Sequence, residues 1–118
     1  MADIELVFDE KGDFYDITIH DKEDLDDKGR PKLISFSALG ITQAFLFIST
    51  EEDMTTPVLD NKSLTLLTDS IVRWTIGSGE VPAAGEYFAI VKMLDVSGAL
   101  VRFSNLLTVH VQPRIGTA

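Results

Sequence analysis

The chain contains no cysteine. Disulfide frameworks, thiolate metal sites and cysteine nucleophiles are therefore excluded together. Basic residues are few: ten Lys and Arg stand against nineteen Asp and Glu, for a net charge of −9. Affinity for phosphate rests on neutralisation by Lys and Arg, so neither nucleic acid nor an anionic membrane is an expected partner. Long apolar runs are missing as well. No stretch approaches the ~20 residues that cross a bilayer as a helix. The start, Met-Ala-Asp-Ile-Glu, lacks the basic and apolar regions of a secretion signal. Synthesis in a cytoplasm is the expectation, with any role outside the cell exercised as part of something larger. Helical periodicity is scarce too, since no window repeats apolar residues at i, i+3, i+4 and i+7 over three turns.

What remains is a chain of 118 residues, 45% hydrophobic, which suits one domain with a real core. We read it as a single unit over 1–118, with its core over about 4–112 and a short tail at 113–118. Its charge is uneven. Residues 1–60 carry 15 acidic and 5 basic side chains, and residues 61–118 carry 4 and 5. The first half therefore reads as a solvated acidic surface, or as a face for a basic partner or for the near-neutral half of another copy.

Strand signals recur along the chain. Ile4, Leu6 and Phe8 alternate, "EKGD" (Glu10–Asp13) supplies a turn, and Tyr15, Ile17 and Ile19 share a face. "DKEDLDDKGRPK" reads as a long polar loop, and Leu33–Phe36 as a short strand before Gly40. Ile41–Ser49 is apolar on both faces, with Phe45 and Phe47 opposite Leu46 and Ile48, so it is either central or covered by a partner. "SLTLL" and "SIVRWTI" follow as strands, the second pointing Val72, Trp74 and Ile76 one way. Glu86–Leu94 is a strand, "DVSG" a hairpin turn and Leu100–Phe103 its return; Leu107, Val109 and Val111 alternate in a last strand. Helix is expected only as a turn near 51–56.

Catalytic patterns fail one by one. In an EF-hand register starting at Asp24, Asp26 falls at position 3, but Lys28 falls at 5 and Ser35 at 12. An irregular calcium site in the acidic loop 21–29 is the alternative reading of that segment. His20 and His110, the only histidines, form no metal-spaced pair. Gly77-Ser78-Gly79 has neither the spacing of a nucleophile elbow nor that of a phosphate loop. The four carboxylates of the second half, Asp69, Glu80, Glu86 and Asp95, are all adjacent to turns. No catalytic, cofactor or metal residue is assigned, and the expectation is a protein that is not an enzyme.

Gly85-Glu86-Tyr87 has the local pattern of the tyrosine corner in immunoglobulin-like sandwiches. Ala89 stands where an antibody domain has its second disulfide cysteine, so the antibody-type domain is excluded and the sandwich is not. The order "KGDFYDITI", "LISFSALG", "ITQAFLFIS", "SIVRWTI", "AGEYFAIVKMLDVSGALVRF", "LLTVHV" over residues 11–112 is similar to the immunoglobulin-like N-terminal domain of phage upper baseplate proteins, and to related stand-alone virion proteins. The resemblance implies an all-β, immunoglobulin-like β-sandwich of about seven to nine antiparallel strands with little or no helix. It also implies an adaptor or connector of tail or baseplate, located in the virion, or alternatively a capsid decoration protein. The partners would be other virion proteins and copies of the chain itself.

A carbohydrate- or cell-surface-binding module is the competing class, but Tyr15, Trp74 and Tyr87 all read as core-facing. A hydrolase at the acidic loop is a third. In the strand Glu86–Leu94, Tyr87, Ala89, Val91 and Met93 are expected to fill the core. Phe45, Phe47, Phe88, Ile90 and Leu94 are the residues expected to meet a partner, because they give these strands more apolar surface than a lone sandwich needs to bury; cover by loops of the same chain is the alternative.

Overall fold

The computed structural model describes residues 4–7, 14–77, 79–104 and 106–113, with the backbone alone at 22–24. The readings placed on Phe8, on the turn at Glu10–Asp13 and on the tail beyond Pro113 lie outside these residues. Among the described residues, ten strands and one short helix follow in chain order. They are β1 (Ile4–Val7), β2 (Phe14–Thr18), β3 (His20–Leu25), β4 (Pro31–Leu33), α1 (Phe36–Leu39), β5 (Ile41–Ser49), β6 (Pro57–Leu66), β7 (Ile71–Thr75), β8 (Gly85–Asp95), β9 (Leu100–Phe103) and β10 (Leu107–Gln112). The chain is all-β, as expected.

Eight strands form one sheet in the order β1-β10-β8-β5-β6-β7-β2, with β9 pairing beside β8. The pivot is β6. It pairs with β5 from Pro57 to Leu64, then passes to β7 at Thr65 and Leu66. Within the β5-paired part the register slips between Leu46 and Ile48, beside a left-handed Asn61 (φ 56°). Folded over at β6, the sheet sets the β2–β7 side against the β5–β8–β10 side and nearly closes on itself. Its two end strands stop short of each other at a seam lined by Ile4, Leu107 and the Tyr15–Thr18 run.

The core is one cluster between these sides. Ile17, Val72 and Trp74 enter from one side, and Ala44, Leu46, Ile48, Ala89, Val91 and Met93 from the other. Tyr87 joins them, so the four core residues expected in β8 are all buried. Ile4 and Leu6 of β1 complete the cluster beside Val109 and Val111. The pairing of β1 with β10 is parallel, which corrects the all-antiparallel expectation. The return of the last hairpin, Leu100–Phe103, and the last strand are separated at Ser104. That buried hydroxyl accepts from Val91 N at 2.9 Å while Ser104 N donates to Val91 O, so a side chain stands in for one ladder bond.

The strand count exceeds the seven to nine expected, and the excess is itself a correction. The segment expected as a polar loop over 21–32 is a two-stranded hairpin, β3 with β4. Local turn chemistry builds it. The Asp26 carboxylate accepts from the N–H groups of Lys28 (2.8 Å) and Arg30 (3.0 Å), and Asp26 N donates to Arg30 O (2.8 Å). Leu33–Phe36 is not the expected strand. Pro31–Leu33 closes the hairpin, and the chain turns into α1 at Phe36. Ser35 caps that helix through Ala38 N, and Asp69, far along the chain, accepts from Ser35 Oγ (2.5 Å) and Ser37 N (2.8 Å). Gly40, left-handed at φ 71°, ends it. The expected turn near 51–56 contains no helix.

Around Trp74 the fold is clasped by one carboxylate. Glu80 Oε1 accepts from Trp74 Nε1 at 2.9 Å and from Gly77 N at 2.8 Å, while Glu80 Oε2 meets Lys62 Nζ at 2.8 Å. Burial pushes this carboxyl up. The bonds from Lys62, Gly77 and Trp74 together outweigh burial and hold it below the ordinary glutamate value.

Candidate functional site

In β5, residues 44, 46 and 48 point inward, so 45 and 47 point out; in β8, residues 87 to 93 alternate the same way. The register then decides what the outer face looks like. Phe45 lies opposite Lys92, Phe47 opposite Ile90, Ser49 opposite Phe88 and Gln43 opposite Leu94. The five partner-facing residues expected from the sequence, Phe45, Phe47, Phe88, Ile90 and Leu94, therefore come together on one face of two adjacent strands. All five are half-buried, against no more than 1% exposure for their inward neighbours Ala44, Leu46, Ile48, Ala89, Val91 and Met93.

Neighbouring elements extend this face. The hairpin register sets Phe103 of β9 beside Lys92. The loop after β5 is folded back by Ser49, whose hydroxyl donates to Thr56 O (2.9 Å) and accepts from Glu51 N (3.1 Å). That loop holds Met54 in a left-handed conformation (φ 61°). The result is a groove of about 420 Å³ lined by Phe47, Asp53, Met54, Ile90, Lys92 and Phe103. Lys92 extends its ammonium over the aromatic rings, 5.2 Å from the Phe47 centroid and 6.0 Å from that of Phe45. Among the described residues no carboxylate lies within 4.0 Å of it. Asp53, the groove's own acid, is engaged by Thr55 through its N–H (3.2 Å) and hydroxyl (2.8 Å). Where β8 meets β10 the face ends in a side-chain hydrogen bond between Glu86 and the His110 ring.

The opposite outer surface is ordinary. Asp16, Arg73 and Thr65 lie side by side across β2, β7 and β6. Arg73 forks onto Asp16 at 2.8 and 3.1 Å and covers the Phe14 ring at 3.8 Å. An antiparallel sheet that meets water alternates apolar-in with polar-out. The β2–β7 side follows this with Asp16, Thr65 and Arg73, its one outward aromatic, Phe14, lying under the Arg73 guanidinium; the β5–β8 side presents several large apolar side chains outward instead.

The other sequence candidates disperse. His20 is exposed in β3, and His110 is engaged by Glu86. Among the described residues no three His, Asp or Glu side chains gather as a metal set. The side chain of Asp24, at the start of the EF-hand register, lies outside the description, and Asp26 serves its own turn. Lys92, Phe103 and Met54 were not singled out from the sequence. Lys92 carried a usable signal, since it alternates with Ile90 and Leu94. Phe103 needed the hairpin register, and Met54 had no signal at all. No protein-family model, curated protein or solved structure matches the chain.

Proposed function

We propose that the chain is a non-enzymatic structural subunit that joins a larger assembly by protein–protein contact through the outer face of β5 and β8. One observation carries this reading: five large apolar side chains and Lys92 share one outward face of the sheet, whereas the other outer face carries the Asp16–Arg73 pair with the single ring of Phe14 beneath the guanidinium. Half-buried aromatics of this kind lose their remaining water contact on docking, which is the usual driving term of an interface. Trp74 and Tyr87, which a carbohydrate-binding module would display, are instead core residues.

The finer fold reading is an immunoglobulin-like sandwich. The Tyr87 hydroxyl donates to Ala83 O at 2.6 Å, four residues upstream, which is the bond of a tyrosine corner and supports that reading. The sequence resemblance then suggests the assembly: a bacteriophage virion, with this chain as adaptor or connector in tail or baseplate, or as a decoration of the capsid surface. Fractionation of the native source tests both parts. The chain should sediment with large particles, and a folded Phe47→Asp variant should move to the free fraction. Wild-type protein found only as free monomer would refute the proposal.

A further inference from the structure

β1 and β2 end the main sheet order, so each has one edge with no paired neighbour among the described strands. Which groups β2 turns to its open edge follows from the ladder. Leu67 N donates to Ile71 O at 2.9 Å, so Ile71 and Arg73 aim their backbone groups at β6. Val72 and Trp74 then aim theirs at β2, where they meet Ile17 and Tyr15. Ile19 N on Ser70 O, at 2.7 Å, continues the same alternation. Asp16 and Thr18 therefore turn their N–H and C=O groups to the seam, where no strand receives them among the described residues.

Two further observations set this edge apart. Open edges are ordinarily blunted by a bulge, a proline or a lysine. The β3–β4 hairpin has all three: a register shift between Asp21 and Leu25, Pro31, and Lys32. β2, with the sequence FYDIT, has none, and it pairs with β7 without a shift. Its charged side chain, Asp16, is bound by Arg73. Along the edge lies a cavity of about 280 Å³, walled in part by the buried Ile4, Ile17 and Leu107.

We propose that the seam binds an extended segment of a partner polypeptide, which adds to β2 as a further strand. The inference goes beyond the face of β5 and β8 and does not depend on it. The chemistry of the edge selects the occupant. Its N–H and C=O groups recur at every second residue, about 6.8 Å apart, and another backbone in strand conformation matches that spacing. Every second side chain of the segment then points toward Ile4, Ile17 and Leu107, so those side chains are apolar and their neighbours polar. A lone strand fits where the edge of a second copy does not. β1 borders the same cavity, and a second copy would bring a whole sheet into that gap.

Hydrogen exchange on the wild-type chain gives the first test. The amides of Asp16 and Thr18 should exchange at least tenfold faster than those of Tyr15 and Ile17. Slow exchange at 16 and 18 would mean that the edge is already covered, and would overturn the proposal. Random nine-residue peptides selected on the immobilised full chain give the second test. Selected peptides should alternate apolar with polar residues, and their binding should slow exchange at Asp16 and Thr18, a readout that needs no variant. Thr18→Pro removes a seam donor without removing a bond to β7. It should melt like wild type and bind those peptides at least tenfold more weakly, whereas Phe47→Asp should bind them unchanged. A selection without enrichment, or peptides that bind without protecting 16 and 18, would overturn the proposal. So would peptides lost with Phe47→Asp and kept with Thr18→Pro, since those bind the β5–β8 face.

Discussion

Trp74→Ala is expected to lower the free energy of unfolding by about 4 kcal/mol, within the ~3–5 typical of a large buried aromatic truncated to alanine. Trp74 is fully buried, sits where the two sides of the folded-over sheet meet, and contacts no solvent that could refill the space. The corresponding fall in melting temperature is on the order of 15 °C, at roughly 4 °C per kcal/mol for a domain of this size. Trp74→Phe separates the ring from its N–H. It should cost about 1–2 kcal/mol, because Glu80 keeps its bonds from Gly77 and Lys62 when the indole donor is lost. Urea melts at neutral and acid pH extend the test to the clasp itself. The Glu80 carboxyl is held below its ordinary value of 4.5, so its contribution is complete above that pH and is lost as pH falls through the lower folded value. Wild type should therefore exceed Glu80→Gln in stability at pH 7, and the gap should close in acid. A gap that widened in acid would mean that the carboxylate is not the stabilising form.

Tyr87 gives the second large effect, with a different split. Tyr87→Ala should cost about 3–4 kcal/mol, since the ring is 9% exposed and packs in the cluster beside Val109. Tyr87→Phe should cost only about 1 kcal/mol. The acceptor, Ala83 O, belongs to an exposed residue, so water can replace the lost hydroxyl. Equal losses in the two variants would place the stabilisation in the hydrogen bond rather than in the ring.

The parts of this fold legible in the sequence were those set by local alternation. Ile41–Ser49 has the bounds its apolar run indicated, and β8 extends one residue beyond each end of Glu86–Leu94. The outward set Phe45, Phe47, Phe88, Ile90 and Leu94 was legible for the same reason: a period of two assigns faces before any partner is known. What was not legible depended on distant contacts or on the backbone alone. The capping of α1 by Asp69 joins residues more than thirty positions apart, so Leu33–Phe36 looked like a strand start. The β3–β4 hairpin has no apolar alternation in its sequence; backbone pairing and the Asp26 turn hold it. The change of partner within β6, between Leu64 and Thr65, left no mark in the sequence, and Met54 reaches the groove only because Ser49 folds its loop back.

The central claim is that the outer face of β5 and β8 is covered in the assembled state while the β2–β7 face stays wet. Because the chain has no cysteine, a single introduced thiol reports on one place. Phe47→Cys and Thr65→Cys, each assembled with wild-type protein or in native particles, should be compared for their rates of modification by a small maleimide. The account predicts that position 47 becomes strongly protected on assembly and that position 65 stays as reactive as in the dispersed chain. Protection at 65 with 47 left reactive, or no protection at either, would contradict it.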